Sequence, residues 1–359
     1  MNLSDLIGTG GGVTFSSSGV YDRTKFISGF DTELQAIISA NNGSSPLAIN
    51  TALTGTGHYS HQMVIDKTNK IIYVYGGIDG AGAESDTLYK YDITTGTTTV
   101  LTTTLTGTTR FNHRMVIDET NQKLIVYGGR TGVTSLDDLI TYDIAGATTT
   151  TIAGFTGTAR EGAGMAFNEV TQILYIYGGS TGSTMLDDLL SYDFSATTPT
   201  ITTLLSSFTG TARYYTQMVL DTVNNQLIVY GGGTGTVFLD DMYSYDIILG
   251  TSASISLALT GTAATRHTMD IDNVNSTINL YDGDIDTLYS YDIAKDTLST
   301  INIALLGGVR QHSRLVTDST NTTSYFYGGY DGTNAFDKLS SNILDLTLSN
   351  AKLLIPRIA

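Results

Sequence analysis

A unit of about fifty residues recurs along this chain, and self-similarity of that kind limits the possible folds more than any other sequence feature. Copies read TGTTRFNHRMVIDETNQKLIVYGG from Thr106, TGTAREGAGMAFNEVTQILYIYGG from Thr156 and TGTARYYTQMVLDTVNNQLIVYGG from Thr209. Further copies start at Thr54 and Thr260, with a more divergent one at Leu306. Glycine doublets begin at Gly76, Gly128, Gly178, Gly231 and Gly328, and Asp282-Gly283 replaces the doublet of the remaining copy. Each unit reads as four short strands: Met115-Val-Ile-Asp innermost, then Lys123-Leu-Ile-Val-Tyr, then Leu139-Ile-Thr-Tyr-Asp, then a Thr-rich fourth. The second is more continuously apolar, as a central strand buried on both faces is, whereas the third alternates. A single such sheet cannot bury both faces, so the units must stack and close into a ring.

The chain has 359 residues, and division by about fifty predicts seven units. A degraded copy at the front supplies the seventh, with Gly29 in the place of the first glycine. The expectation is therefore all-β, a seven-bladed propeller over residues 8–359 whose degenerate first blade covers about 8–53. The last unit carries an outer strand of its own at residues 351–357, and the first an inner strand near 12–16. Closure by face packing, without an exchanged strand, follows from that reading. Residues 1–7 are left as an arm, with Leu3, Leu6 and Ile7 available for assembly contacts.

An apolar strand ending in a glycine doublet is followed 14 or 15 residues later by Tyr91, Tyr142, Tyr192 or Tyr245, and after 9 by Tyr291. This pattern resembles the Kelch repeat across residues 8–359. Kelch blades usually carry a Trp in the fourth strand; this chain has none, so Thr, Leu and Ile must pack there. The resemblance implies that the Thr-Gly-Thr turn and the loop after the doublet open on one face, around a central channel.

Arg110, Arg160, Arg213 and Arg310 each stand 18 residues before the first glycine of their doublet. His58 takes that place in its unit, and Arg266 is displaced by two. With the resemblance, these residues form a cationic ring at the channel mouth, joined by Arg130 and Tyr330 directly after their doublets. A guanidinium offers a two-pronged fork to carboxylates, so the ring suits carboxylates or an acidic peptide. The alternative is that each arginine pairs with a nearby Asp or carbonyl. The pairs Asp137-Asp138, Asp187-Asp188 and Asp240-Asp241 recur before the third strand, and Asp92, Asp143, Asp193, Asp246 and Asp292 follow the tyrosines. Both sets read as local turn chemistry rather than as a calcium cage. His58, His61, His113, His267 and His312 read as inner-strand residues rather than metal ligands.

Net charge is -16, with only 18 Lys and Arg, which excludes a phosphate-neutralising surface and hence nucleic acid as a partner. No apolar run reaches the ~20 residues of a membrane helix. The absence of Cys removes disulfides, thiolate metal sites and cysteine nucleophiles. No Gly-x-Ser-x-Gly elbow, phosphate loop or His-Glu-x-x-His occurs, so neither an enzyme nor any cofactor is expected. The start, lacking a basic n-region, is not a secretory signal. Residues 3–12, LSDLIGTGGG, resemble the starts of some bacteriophage tail and virion proteins. The leading expectation is a non-enzymatic binding or structural propeller on a virion, exposed outside the cell, with other virion proteins, a host receptor or a glycan as partners. A cytoplasmic Kelch protein that binds other proteins is the alternative, and a carbohydrate-active enzyme the second.

Overall fold

Four-stranded antiparallel sheets repeat in a computed structural model that describes residues 47–50, 53, 56–153, 155–208, 210–255, 267–303, 308–320 and 323–343. Blade 1 comprises Gln62–Asp66, Ile71–Tyr75, Leu88–Asp92 and Thr97–Thr102, from inner to outer strand. Blade 2 comprises Arg114–Asp118, Lys123–Tyr127, Leu139–Asp143 and Thr148–Thr151. Blades 3, 4 and 5 begin at Gly164–Asn168, Gln217–Asp221 and Thr268–Asp272 and repeat the same order. Blade 6 takes Arg314–Asp318, Thr323–Tyr327 and Leu339–Ile343 from the end of the described chain, and its outer strand, Leu47–Asn50, from the beginning.

The propeller therefore has six blades, not seven. The inner strand of blade 6 lies directly against that of blade 1, which leaves no gap for another sheet. The expected first blade is corrected where it can be seen: residues 47–50 belong to the last blade, and residues 8–46 lie outside the described residues. Closure is corrected as well. Leu47 and Ala48 pair with Ser341 and Ser340, so a strand is exchanged across the ring, in the place assigned to residues 351–357. Those residues and the arm with Leu3, Leu6 and Ile7 lie outside the described residues.

Successive residues of a strand face opposite sides of the sheet, and this parity builds the core. In blade 2, Leu124 and Val126 pack with Tyr73, Tyr75 and Leu88 of blade 1. Between them in sequence, Ile125 and Tyr127 pack with Met165, Leu174 and Ile176 of blade 3. Six such clusters fill the six junctions. The tyrosines of the repeat, Tyr91, Tyr142, Tyr192, Tyr245 and Tyr291, are buried, each against the blade before its own. The outer strand Thr148–Thr151 is exposed throughout, so no Trp is needed there.

The doublet is a joint between blades. Gly129 has φ +94°, and a Cβ there would stand 2.6 Å from the His113 Cβ. Its N–H donates to the Arg160 carbonyl of the next blade at 3.0 Å, as Gly77 does to Arg110 and Gly179 to Arg213. Only glycine combines that conformation with so close an approach.

Candidate functional site

The arginine spacing is structural in its first consequence. Arg110 donates from Nη1 to Asp138 Oδ1 at 2.9 Å and from Nη2 to Asp138 Oδ2 at 2.7 Å, and also to the Gly128 carbonyl at 3.0 Å. Arg160 repeats this with Asp188 and Gly178, and Arg213 with Asp241 and Gly231. All three guanidiniums are buried. Burial is the largest influence on the Arg160 pKa and lowers it, but the hydrogen bonds that Arg160 donates to Asp188, together with the nearby Tyr127 and the Asp188 charge, leave the value raised. Each fork is thus filled by its own blade, tying the start of the inner strand to the doublet and the third strand. The second Asp of each pair is this partner, which corrects its reading as local turn chemistry. The Asp after each tyrosine does cap its turn: Asp92 Oδ1 accepts from Thr94 and Thr95 N–H at 2.8 and 3.0 Å.

The remaining members of the expected ring differ. His58 is buried, and burial lowers its pKa; Asp86, at the place of Asp138, accepts from Tyr75 Oη at 2.6 Å and Thr106 Oγ1 at 2.9 Å. In blade 6 Lys338 stands where the pairing Asp would be, and Arg310 lies 4.1 Å over the Phe336 ring. Arg266 lies outside the described residues. Arg130 remains partly accessible, 3.1 Å from Glu161 Oε1. Tyr330 stacks on Tyr59 with ring centroids 4.9 Å apart.

The mouth of the channel is built by the residues immediately after the arginine position: Tyr59, Phe111, Glu161, Tyr214 and Gln311. Each is bracketed by backbone pairing to the residue following the doublet, Ile78, Arg130, Ser180, Gly233 and Tyr330 respectively. In the Phe111–Arg130 bracket the two N–H···O bonds measure 3.0 and 2.9 Å. One backbone frame thus holds side chains of four kinds, two tyrosines with a phenylalanine, a glutamine and a buried glutamate. Tyr214 packs on Tyr215 at 4.3 Å, and His312 lies between Tyr215 at 5.7 Å and Tyr59 at 6.3 Å. Asn112 Nδ2 donates to Glu161 Oε2 and to Tyr215 Oη, both at 2.8 Å. The result is an arc of aromatic rings closed by an Arg–Glu–Asn network. Sequence reasoning fixed on the constant position and passed over the variable one beside it. In the loop that follows Gly76, Glu84 accepts from Thr109, Thr131 and Gly132 and so ties the loop to blade 2.

Below the mouth, His61 and His113 are fully buried, edge-on to Tyr327 at 5.0 Å and Tyr75 at 4.8 Å. Neither ring makes a hydrogen bond, and burial holds both pKa values well below the ordinary 6.5. Among the described residues no cluster of three His, Asp or Glu able to hold a metal occurs. The two imidazoles are neutral in the folded protein, while the unfolded chain takes up their protons below pH 6.5. Their contribution to stability is intact above that value and is lost as pH falls. Between pH 7 and 5 the loss is about 1–2 kcal/mol per histidine. Urea unfolding at the two pH values measures it, and His61→Gln with His113→Gln should flatten the slope; an unchanged slope would mean other groups carry it.

Residues 47–204, the closing strand and the first three blades, match the KLHDC2/KLHL20/DRC7 Kelch-repeats domain. The match, together with the doublet joints, the buried repeat tyrosines and the closed ring of four-stranded sheets, supports a Kelch-repeat β-propeller.

Proposed function

We propose that the chain is a protein-interaction module whose contact surface is the aromatic arc around the channel mouth. Kelch propellers are typically non-enzymatic modules that bind other proteins. The observation carrying the finer reading is the bracketed frame: identical backbone geometry in five blades holds Tyr59, Phe111, Glu161, Tyr214 and Gln311. Rigid aromatics are the side chains that dominate protein interfaces, because they offer large contact area at low entropic cost. Net charge of -16 favours a cationic segment as partner, its Arg or Lys stacking on the tyrosine arc.

A photo-crosslinking amino acid at position 214 of the protein in its native source should capture a partner. The same probe at Val274, 75% exposed in the turn at the far end of blade 5, should not. Tyr59→Ala and Tyr214→Ala should each weaken binding of the captured protein about 10- to 30-fold, the loss of ~1.4–2 kcal/mol, without moving the unfolding midpoint. Capture through Val274 alone would place the interface on the opposite face. Glycoside hydrolysis uses two carboxylates, and at the five described rim positions Glu161 is the one acid, with Arg130 and Asn112 on its oxygens. The expectation of a place on a virion rests on residues 3–12, outside the described residues.

A further inference from the structure

Two arginines below the rim have no carboxylate partner among the described residues. Arg114 and Arg314 open the inner strands of blades 2 and 6, at equivalent places in the repeat. They are 7% and 8% exposed. Arg114 donates from Nε to the Ala163 carbonyl and from Nη2 to the Thr216 carbonyl at 2.7 Å. Arg314 donates from Nη1 to the Ser313 carbonyl at 3.0 Å, and its buried Nε has no hydrogen-bond partner. Both side chains line one cavity of about 10 Å³, together with Asn112, Tyr215, Gln217 and His312. Among the described residues that line it there is no acid.

The contrast with Arg110, Arg160 and Arg213 is chemical. Those three are neutralised by Asp138, Asp188 and Asp241, whereas Arg114 and Arg314 receive only neutral carbonyls. Guanidinium does not surrender its proton in proteins, so two like charges face one small space of low dielectric. Burial depresses both pKa values, and for Arg114 the charge of Arg314 adds to it. A buried charge is retained when it is paired. Carbonyl oxygens satisfy donors but supply no net negative charge, and a water molecule supplies none either. A cavity of about 10 Å³ is on the scale of one small particle, which suits a monatomic ion better than phosphate or a peptide carboxylate with its chain.

We propose that this cavity holds a monatomic anion, chloride, between Arg114 and Arg314. The ion neutralises the channel directly beneath Asn112, Tyr215 and His312, and so braces the rim from below. This site does not depend on which partner the rim takes.

Crystals of the full chain grown with bromide in place of chloride should show an anomalous peak within contact of both guanidiniums. Thermal unfolding should respond in parallel. At fixed ionic strength, exchange of chloride for gluconate, too large for the cavity, should lower the midpoint. Above the dissociation constant, each tenfold rise in chloride should shift the folding equilibrium tenfold. Arg314→Gln should abolish that dependence while the response to total ionic strength remains. Absence of a bromide peak between the arginines, or equal midpoints in chloride and gluconate, overturns the proposal. The bromide experiment uses the unaltered chain, so it decides the matter even if Arg314→Gln does not fold.

Discussion

Arg160→Ala is expected to destabilise the propeller by about 3–5 kcal/mol, toward the lower end because the Asp188 side chain keeps 24% of its exposure. The substitution removes two bonds to Asp188, at 2.8 and 3.0 Å, and one to the Gly178 carbonyl at 2.8 Å. It leaves a carboxylate without its counterion and a cavity where a fully buried side chain stood. Arg160→Lys should recover little, since a single ammonium cannot span both carboxylate oxygens and the carbonyl. Arg130→Ala serves as the control. That side chain is 32% exposed beside Glu161, and pairs of this kind contribute about 1 kcal/mol or less. Urea midpoints of the three variants measure the difference. A stable Arg160→Ala protein that had lost its partner would mean the arginine serves a ligand; the filled fork argues for loss of stability.

The same residues show what can be read from sequence. Their constant spacing of 18 before the doublet was visible, and so was a rigid unit behind it. The destination of the side chain was legible too, though less plainly. Asp138, Asp188 and Asp241 stand 28 residues after Arg110, Arg160 and Arg213, and the correspondence breaks at Lys338, 28 after Arg310. Taking the Asp pairs as local turns hid this relation, because short-range bonding is the commoner role of such residues. Blade architecture was read correctly for a simple reason. A strand such as Lys123–Tyr127, apolar at every second position on both parities, requires a neighbour on each face.

Other features were beyond such reading. The aromatic arc is made by residues distant in sequence, Tyr59 with Tyr330 and Tyr215 with His312. Each is an ordinary tyrosine or histidine until the ring closes. The cations Arg114 and Arg314 are visible in the repeat, where other units have Gln62, Gly164, Gln217 and Thr268. That no acid among the described residues meets them is a fact of three dimensions. Blade number failed for a related reason. Dividing length by period treats every residue as part of a blade, whereas closure is decided by one pairing between remote segments.

That pairing sets the second large effect. Replacing residues 47–53 by a Gly/Ser linker of equal length should destabilise the propeller by about 4 kcal/mol or more. Part of the loss is Leu53, 3% exposed within the junction of blades 6 and 1, against Tyr327, Leu339 and Met63. Truncation of such a side chain alone costs about 2–5 kcal/mol, so Leu53→Ala is the smaller version of the experiment. The Leu53 N–H also donates to Asp337 Oδ1 at 2.9 Å, across 284 residues of sequence. The rest of the loss is the outer strand: without Leu47–Asn50, the strand Leu339–Ile343 becomes an open edge. Hydrogen exchange should locate the damage. Amides of Leu339–Ile343 should lose protection first, while those of Lys123–Tyr127, paired on both sides within blade 2, should hold theirs. Equal protection in both strands, with an unchanged urea midpoint, would mean that face packing between blades 6 and 1 closes the ring unaided. The exchanged strand and Leu53 place two independent contacts at that junction, and for a ring the last junction to close confines all the others.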